Sequence, residues 1–368
     1  MGKVMRAIGL MSGTSMDGID VGLLETDGDL TVKRGPSAST PYTPQFRARL
    51  AQAVADAATL RGRHERQGCL AGVERELTEL HAAAVLRFMG DHNLQPMAID
   101  VIGFHGQTVL HDPNRRLTVQ LGDGALLAGA TRVDVVYDLR AADFAAGGQG
   151  APLAPVYHRS LVSRLPNRPI AFLNIGGVAN VTWIGRAGEL VAFDTGPGNG
   201  MIDDWMQRRC GLPCDEAGRL AASGRVRDAY VTQYLRHSYF SAPSPKSLDR
   251  NTFPSELVDG LSDEDGAATL TAFASEAIAM ARAHFPEQPA LWIVSGGGRK
   301  NRTLMSMIAA RVENAVVPSE AIGVDGDSLE AEAWAYLAVR SLSGLPISYP
   351  GTTGVPQPMT GGVLARAP

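Results

Sequence analysis

The chain has 368 residues, 45% of them hydrophobic and 20% charged, with a formal net charge of −4. That length suits one large α/β unit or two ordinary domains, and the composition is globular. A mildly acidic balance without a basic stripe argues against a nucleic-acid surface, and no apolar run approaches the ~18 residues of a spanning helix.

The N-terminal MGKVMRAIGL lacks the apolar core and cleavage site of a signal peptide. Cys69, Cys210 and Cys214 are too few for a disulfide framework. A reduced, cytoplasmic enzyme is the expectation, with no membrane partner.

From the start, residues 8–20 read IGLMSGTSMDGID: strand, tight polar turn, then a strand resuming at Ile19, Val21 and Leu23. Gly13 offers backbone angles closed to other residues, and Ser12, Thr14 and Ser15 add hydroxyls beside backbone N–H groups, a donor set suited to phosphate oxygens. Asp17 and Asp20 follow, where a carboxylate could hold the waters of Mg2+. A third strand is expected over 30–34, helices over 44–60 (capped by Thr43) and 65–93, and a buried strand over 99–104 ending in His105, Gly106 and Gln107. Strand 117–121, helix 125–130 and strand 133–137 come next. The glycine-rich 138–155 (DLRAADFAAGGQGAPLAP) is the candidate boundary between lobes, followed by a helix over 158–165.

Residues 170–199 then repeat the opening plan of strand, glycine turn, strand, turn, strand, with Gly176 and Gly177 at the first turn and Asp194 through Asn199 at the second. A repeat offset by about 160 residues implies two related lobes and not a short-period solenoid. Helices are expected over 200–209, 226–236, 263–285, 301–311 and 328–342, the last carrying Glu330 and Glu332. Between them lie a Pro- and Ser-rich loop at 241–253, a strand at 290–294 running into Ser295, Gly296, Gly297 and Gly298, and a strand at 315–317. The tail 343–368 is expected to pack back on the first lobe. The expected division is 1–140 with that tail, and 141–342.

Three strand-to-turn stretches therefore carry glycines suited to a close ligand: 12–15, 194–199 and 295–298. The P-loop pattern, the protein-kinase signatures and the first-strand dinucleotide pattern are all absent. Phosphoryl transfer here would need a different cradle.

GLMSGTSMDGID (9–20), FHGQTVLH (104–111), AAGGQGAPLAP (145–155), LNIGGVANV (173–181), FDTGPGN (193–199) and SGGGRKN (295–301) occur in order along nearly the whole chain. With these motifs the chain resembles the anhydro-N-acetylmuramic acid kinases, within the superfamily of sugar kinases, heat-shock chaperones and actin. The resemblance implies an α/β, two-lobe actin-like ATPase fold, with a repeated strand-turn-strand sheet in each lobe and a nucleotide cleft between them. It implies ATP at Ser12, Gly13, Thr14, Ser15, Met16, Asp17, Gly18, Ile19 and Asp20, at Gly176 and Gly177 with Asn174, and at Gly296, Gly297, Gly298 and Asn301.

The same resemblance implies Asp194 as catalytic base, Glu330 on the sugar and Mg2+ with ATP. His105 and Arg140 are the further substrate candidates, Arg140 because it pairs bidentately with carboxylate or phosphate. One departure stands out. Sugar kinases of the superfamily carry an acid two places before the first hairpin glycine, and here that place is Met11, with Asn174 in the second hairpin. The metal carboxylate must come from elsewhere, with Asp17, Asp20 or Asp194 the candidates.

A 1,6-anhydro sugar has no free 6-hydroxyl, so the implied reaction delivers water to the anomeric carbon while the freed 6-oxygen takes the phosphoryl group. That needs a base for the water and support for the phosphoryl oxygens. The expected partner is this small sugar, in cell-wall recycling, and a homodimer is left open. The rivals are an actin-like ATPase or chaperone without sugar kinase activity, and a glycoside hydrolase using Asp194 with Glu330 and no nucleotide.

Overall fold

The computed structural model describes residues 2–13, 15–112 and 115–368. Their contacts fall into two units, Met1–Ser163 with Ser328–Pro368, and Arg164–Asp327. The divisions thus come at 163/164 and 327/328, where the sequence suggests 140/141 and 342/343. The glycine run 147–150 lies inside the first unit because it is stapled there. Buried Asp143 accepts from the N–H of Gly150 at 2.6 Å and from Thr353 Oγ1 at 2.6 Å, and Gln149 N–H donates to the Thr353 carbonyl.

The strands are β1 (Met5–Ser12), β2 (Gly18–Thr26), β3 (Val32–Pro41), β4 (Val101–Asp112), β5 (Leu117–Leu121), β6 (Val135–Tyr137), β7 (Ile170–Ile175), β8 (Val178–Ile184), β9 (Leu190–Pro197), β10 (Leu291–Ser295), β11 (Ala315–Pro318) and β12 (Val363–Ala365). In the first unit, β1, β2 and β3 form an antiparallel meander, and β4 then β6 add in parallel beyond β1. The order is β12-β6-β4-β1-β2-β3, with β5 against β4, so the tail supplies the edge strand β12. The second unit repeats the scheme. There β7, β8 and β9 form the meander, β10 joins β7 in parallel and β11 joins β10, giving β11-β10-β7-β8-β9. This duplicated plan is the actin-like α/β fold anticipated from the sequence.

The central strand of each sheet is largely apolar, as IAFLNI in β7, because it is buried on both faces. In the first unit the helix Leu329–Leu342 lies directly on β1, β2 and β4. Glycine makes that approach available: a Cβ on Gly9 would come 1.8 Å from the Ala331 carbonyl, and one on Gly103 2.0 Å from that of Trp334. Buried Glu332 anchors the helix sideways. It accepts from Arg34 Nε and Nη2 at 2.8 Å each, from Tyr157 Oη at 2.6 Å and from Ser328 Oγ at 3.0 Å. A fully bonded ion pair of this kind fixes the first turn of the helix, Glu330 included.

In the second unit the helix Asp263–Met280 is capped by Ser262 and carries three acids in its first turn, matching its dipole. It packs against β9, and Gly266 makes room for the indole of Trp205. Two expectations shift. β3 runs to Pro41, well past residue 34, and β4 continues through His105 to Asp112. Gly106 at φ +71° together with a register shift lets β4 bend and still pair with β5. His105 and Gln107 therefore stand within a strand and not in a turn after it.

Candidate active site

In the first unit, the β1–β2 connection is tied from below. Ser12 is buried, and its Oγ meets Tyr42 Oη at 2.8 Å and donates to Gln107 Oε1 at 2.5 Å, while Gln107 Nε2 donates to the Gly13 carbonyl at 3.0 Å. Ser12 thus serves as a brace, with its hydroxyl already engaged. Gly13 does not take the left-handed conformation anticipated for it. Met16 does, at φ +53°, closing the turn with a bond to the Gly13 carbonyl. Gly18 is the glycine that packing demands, since a Cβ there would sit 2.4 Å from the Thr40 carbonyl. Around Gly13 the nearest obstacle is the exposed Ser15 hydroxyl at 3.3 Å, so the protein itself leaves room there. Ser15 Oγ donates to Asp17 Oδ1 at 2.8 Å. Ile19 is a core residue and offers only backbone to a ligand, and Thr14 lies outside the described residues.

The first unit also gathers His105, Arg140 and Glu330 around one side chain that sequence reasoning missed, Trp334. The His105 ring lies 4.4 Å from the indole, and the Arg140 guanidinium 5.2 Å from it. Glu330 is four residues before Trp334, on the same helix face. That i, i+4 spacing was the available signal. Arg140 donates to the Gly150 carbonyl at 2.7 Å and to His105 Nε2 at 3.1 Å. Arginine always donates, so Nε2 accepts and His105 is neutral. Burial, then the Arg140 charge, holds the His105 pKa well below its ordinary value.

Burial also lowers the Arg140 pKa to about 10, and Glu330 and Asp143 oppose this only through their field. A cation held by neutral groups against an aromatic face is suited to receiving an anion. Glu330 is open to solvent, yet crowding by protein is the first cause of its raised pKa, followed by the Asp20 carboxylate and opposed by Arg140. A group both open and crowded lies in a concave part of the surface. Nearby, a polar pocket of about 210 Å³ is lined by His105, Arg63, Arg66, Gln120 and Asp138. Its arginines are already paired, Arg63 with Asp138 and Arg66 with Glu74.

In the second unit, Asp194 stands on β9, the edge strand of its sheet, opposite Asn180. The register shifts just beyond it, so Thr195 is an extra residue that turns the strand, a common device for aiming a functional side chain. The open edge of β9 is covered by the loop after residue 238. Asp194 N–H donates to the Lys246 carbonyl at 3.0 Å, Tyr239 Oη donates to the Asp194 carbonyl at 2.5 Å, and Leu248 N–H donates to Asp194 Oδ2 at 2.8 Å. Burial pushes the Asp194 pKa up to about 6, against the opposing pull of that Leu248 bond. A carboxylate so tuned can take a proton near neutral pH. Asp203, in the first turn of the helix Gly200–Cys210, is also raised to about 6 by burial.

The glycine turns of this unit are laced together. Gly176 and Gly177 form the β7–β8 hairpin, and their carbonyls accept from Gly198, Asn199 and Gly200 at 2.7–3.0 Å. Ser295 pairs with Asn174, bringing the Gly296–Gly298 turn alongside. Gly296, at φ +73°, is required by packing, since a Cβ would lie 2.4 Å from Asn174 Oδ1. Gly176, Gly177 and Gly297 are not: their nearest neighbours would be 3.6, 3.8 and 3.7 Å away. Glycine there leaves a clear backbone face of the kind a phosphate or nucleoside needs. Asn301 is nine-tenths buried, and its Oδ1 caps the helix Arg302–Val312 through Leu304 N–H. Arg299, absent from the sequence-based set, holds this turn by donating to the Gly296 carbonyl at 2.9 Å while paired with Glu320 and Asp327.

Among the described residues no three acids, histidines or cysteines gather as a metal cluster, and no helix is long and apolar enough to cross a membrane. The place of the superfamily acid is filled by Met11, whose sulfur takes the Trp334 indole N–H at 3.1 Å.

A family model described as anhydro-N-acetylmuramic acid kinase matches residues 5–367. Curated proteins of that name include one from Rhodopseudomonas palustris, 52% identical over 99% of this chain and 100% of its own length. Others come from Agrobacterium fabrum, 51% identical over the whole of both chains, and from Methylobacterium nodulans, 51% identical over 98% of this chain and 100% of its own. Solved structures of similar fold include more distant proteins. Component A of (R)-2-hydroxyglutaryl-CoA dehydratase from Acidaminococcus fermentans is 13% identical over 91% of this chain and 99% of its own, with a TM-score of 0.46, too weak a likeness to bear on function.

Proposed function

Because the chain belongs to the anhydro-N-acetylmuramic acid kinase family, we propose how its residues divide the work of this ATP-dependent kinase. The substrate is 1,6-anhydro-N-acetylmuramic acid and the product N-acetylmuramic acid 6-phosphate, a step of peptidoglycan recycling. Water attacks the anomeric carbon and gives its proton to Asp194. The bond from that carbon to the 6-oxygen breaks, and the 6-oxygen takes the γ-phosphoryl group as ADP leaves.

The observation that supports this assignment most is the aimed, hydrogen-bonded Asp194 carboxyl with its pKa near 6. The glycine faces at Gly176, Gly177 and Gly297, and the room beside Gly13, suit the nucleotide. Arg140 and Glu330, with neutral His105, suit the sugar: Arg140 its lactyl carboxylate, Glu330 its hydroxyls. Mg2+ would be held through water by Asp17 or Asp20 and would screen the charge on the phosphates.

The test is ADP release with 1,6-anhydro-N-acetylmuramic acid, with N-acetylmuramic acid and with no sugar. Turnover should depend on sugar and favour the anhydro form. Equal turnover in all three would point to an ATPase without sugar kinase activity.

A further inference from the structure

The loop that covers the edge of β9 holds Asp194 by three bonds, which come from Lys246, from Leu248 two residues on, and from Tyr239, a partner of the Lys246 ammonium. Lys246 itself lends its carbonyl to the Asp194 N–H, and Leu248, two residues on, donates to the Asp194 carboxyl. Tyr239, whose hydroxyl bonds the Asp194 carbonyl, is the residue whose own carbonyl accepts from Lys246 Nζ at 3.0 Å. The ammonium spends its remaining donors on the Phe240 carbonyl at 3.3 Å and on His284 Nε2 at 3.3 Å. It also lies over the faces of Tyr239, at 4.7 Å, and Phe193, at 5.8 Å, and Phe193 is the residue before Asp194. The loop is rich in Ser and Pro and has no regular strand or helix of its own across 242–253. A single cation therefore ties the middle of this loop to the turn that precedes it and to His284.

We infer that Lys246 is a positioning residue for the general base: its ammonium pins the loop carbonyls so that the Leu248 N–H fixes the direction of the Asp194 carboxyl. The inference rests on the reading of Asp194 as the base. Lys246 does not touch the reacting atoms and acts through the loop. The titratable groups around it are Asp194, Tyr239 and His284. Burial, then the Lys246 charge, keeps the His284 pKa below its ordinary value, so its Nε2 is free to accept. A misdirected carboxylate loses rate without losing ligand affinity, because displacement by a fraction of an ångström spoils the attack geometry while the binding groups stay in place.

The experiment compares Lys246→Met, Lys246→Arg and Asp194→Asn for kcat, for KM toward ATP and sugar, and for the pH dependence of kcat, beside thermal unfolding. Lys246→Met should lower kcat about 10–100-fold with both KM values little changed. Its acidic limb should move to higher pH, because the Leu248 bond favours the ionised carboxyl and is loosened. Lys246→Arg, which keeps a cation with several donors, should recover part of the rate. Should Lys246→Met fail to fold, Lys246→Gln, which retains a donor for one carbonyl, should show the same changes in smaller measure. An unchanged kcat and acidic limb in a folded Lys246 variant, with Asp194→Asn inactive, would overturn the positioning role alone. Retained turnover in Asp194→Asn would remove the base assignment and this inference with it.

Discussion

The backbone N–H of Leu248 donates a 2.8 Å hydrogen bond to Oδ2 of Asp194 across 54 residues of sequence. It is the force opposing the burial that lifts this carboxyl to about 6. The balance leaves a group ionised at neutral pH and still basic enough to accept a proton.

kcat should therefore fall as the pH drops through about 6, because protonation removes the base. A pH–rate profile at saturating ATP and sugar checks this. A profile that stays level well below that pH would contradict the assignment.

The same shift acts on stability with the opposite sense. The folded form holds the Asp194 proton more tightly than the unfolded chain, whose value is near 3.8, so ionisation costs stability as the pH rises from there to about 6. Asp194→Asn keeps an acceptor for Leu248 but has no charge to bury. It should be more stable than the parent at neutral pH, by up to about 3 kcal/mol, and the difference should vanish in acid below the unfolded value. Thermal unfolding on both sides of that window measures it.

Much of this was legible in the sequence. The duplicated meander showed itself because β1 and β7 are buried on both faces, giving apolar runs that end in glycine turns. Asp194 and His105 were singled out within their motifs, Glu330 from the resemblance, and Arg140 from its bidentate chemistry beside the glycine-rich stretch. The loop that holds Asp194 was not, because a Ser- and Pro-rich stretch reads only as polar connection and its partner lies on a distant strand. Glycines misled twice. At Gly13 the left-handed turn residue proved to be Met16. At Gly150 the glycine serves close packing inside the first unit and not a boundary between lobes, since a Cβ would lie 2.3 Å from the Phe144 ring.

Gly13→Val should fold normally, because only the exposed Ser15 hydroxyl crowds that position. Its affinity for ATP should fall if the turn receives phosphates, since the branched side chain fills the space they need. Calorimetric titration with ATP, beside a melting curve, decides. Unchanged affinity in a folded variant would make the turn purely structural.

Two carboxylates on one helix should respond differently. Arg34→Met leaves Glu332 buried without its guanidinium and should cost about 3–5 kcal/mol of stability. Glu330→Gln should leave the melting temperature nearly unchanged and raise the KM for sugar roughly ten- to hundredfold, the worth of a hydrogen bond to a charged group. Steady-state kinetics and thermal unfolding of both variants test the contrast. A large loss of stability in Glu330→Gln would assign that residue to the scaffold.

The most direct measurement is ADP release by Asp194→Asn at saturating ATP, anhydro sugar and Mg2+, with binding of both ligands confirmed separately. Asparagine preserves the shape and the acceptor for Leu248 N–H but cannot take the proton that water must lose. Turnover should drop by at least about 10²–10⁴-fold in a protein that is folded and still binds both ligands. Near-parental turnover would contradict the assignment of Asp194 as the base.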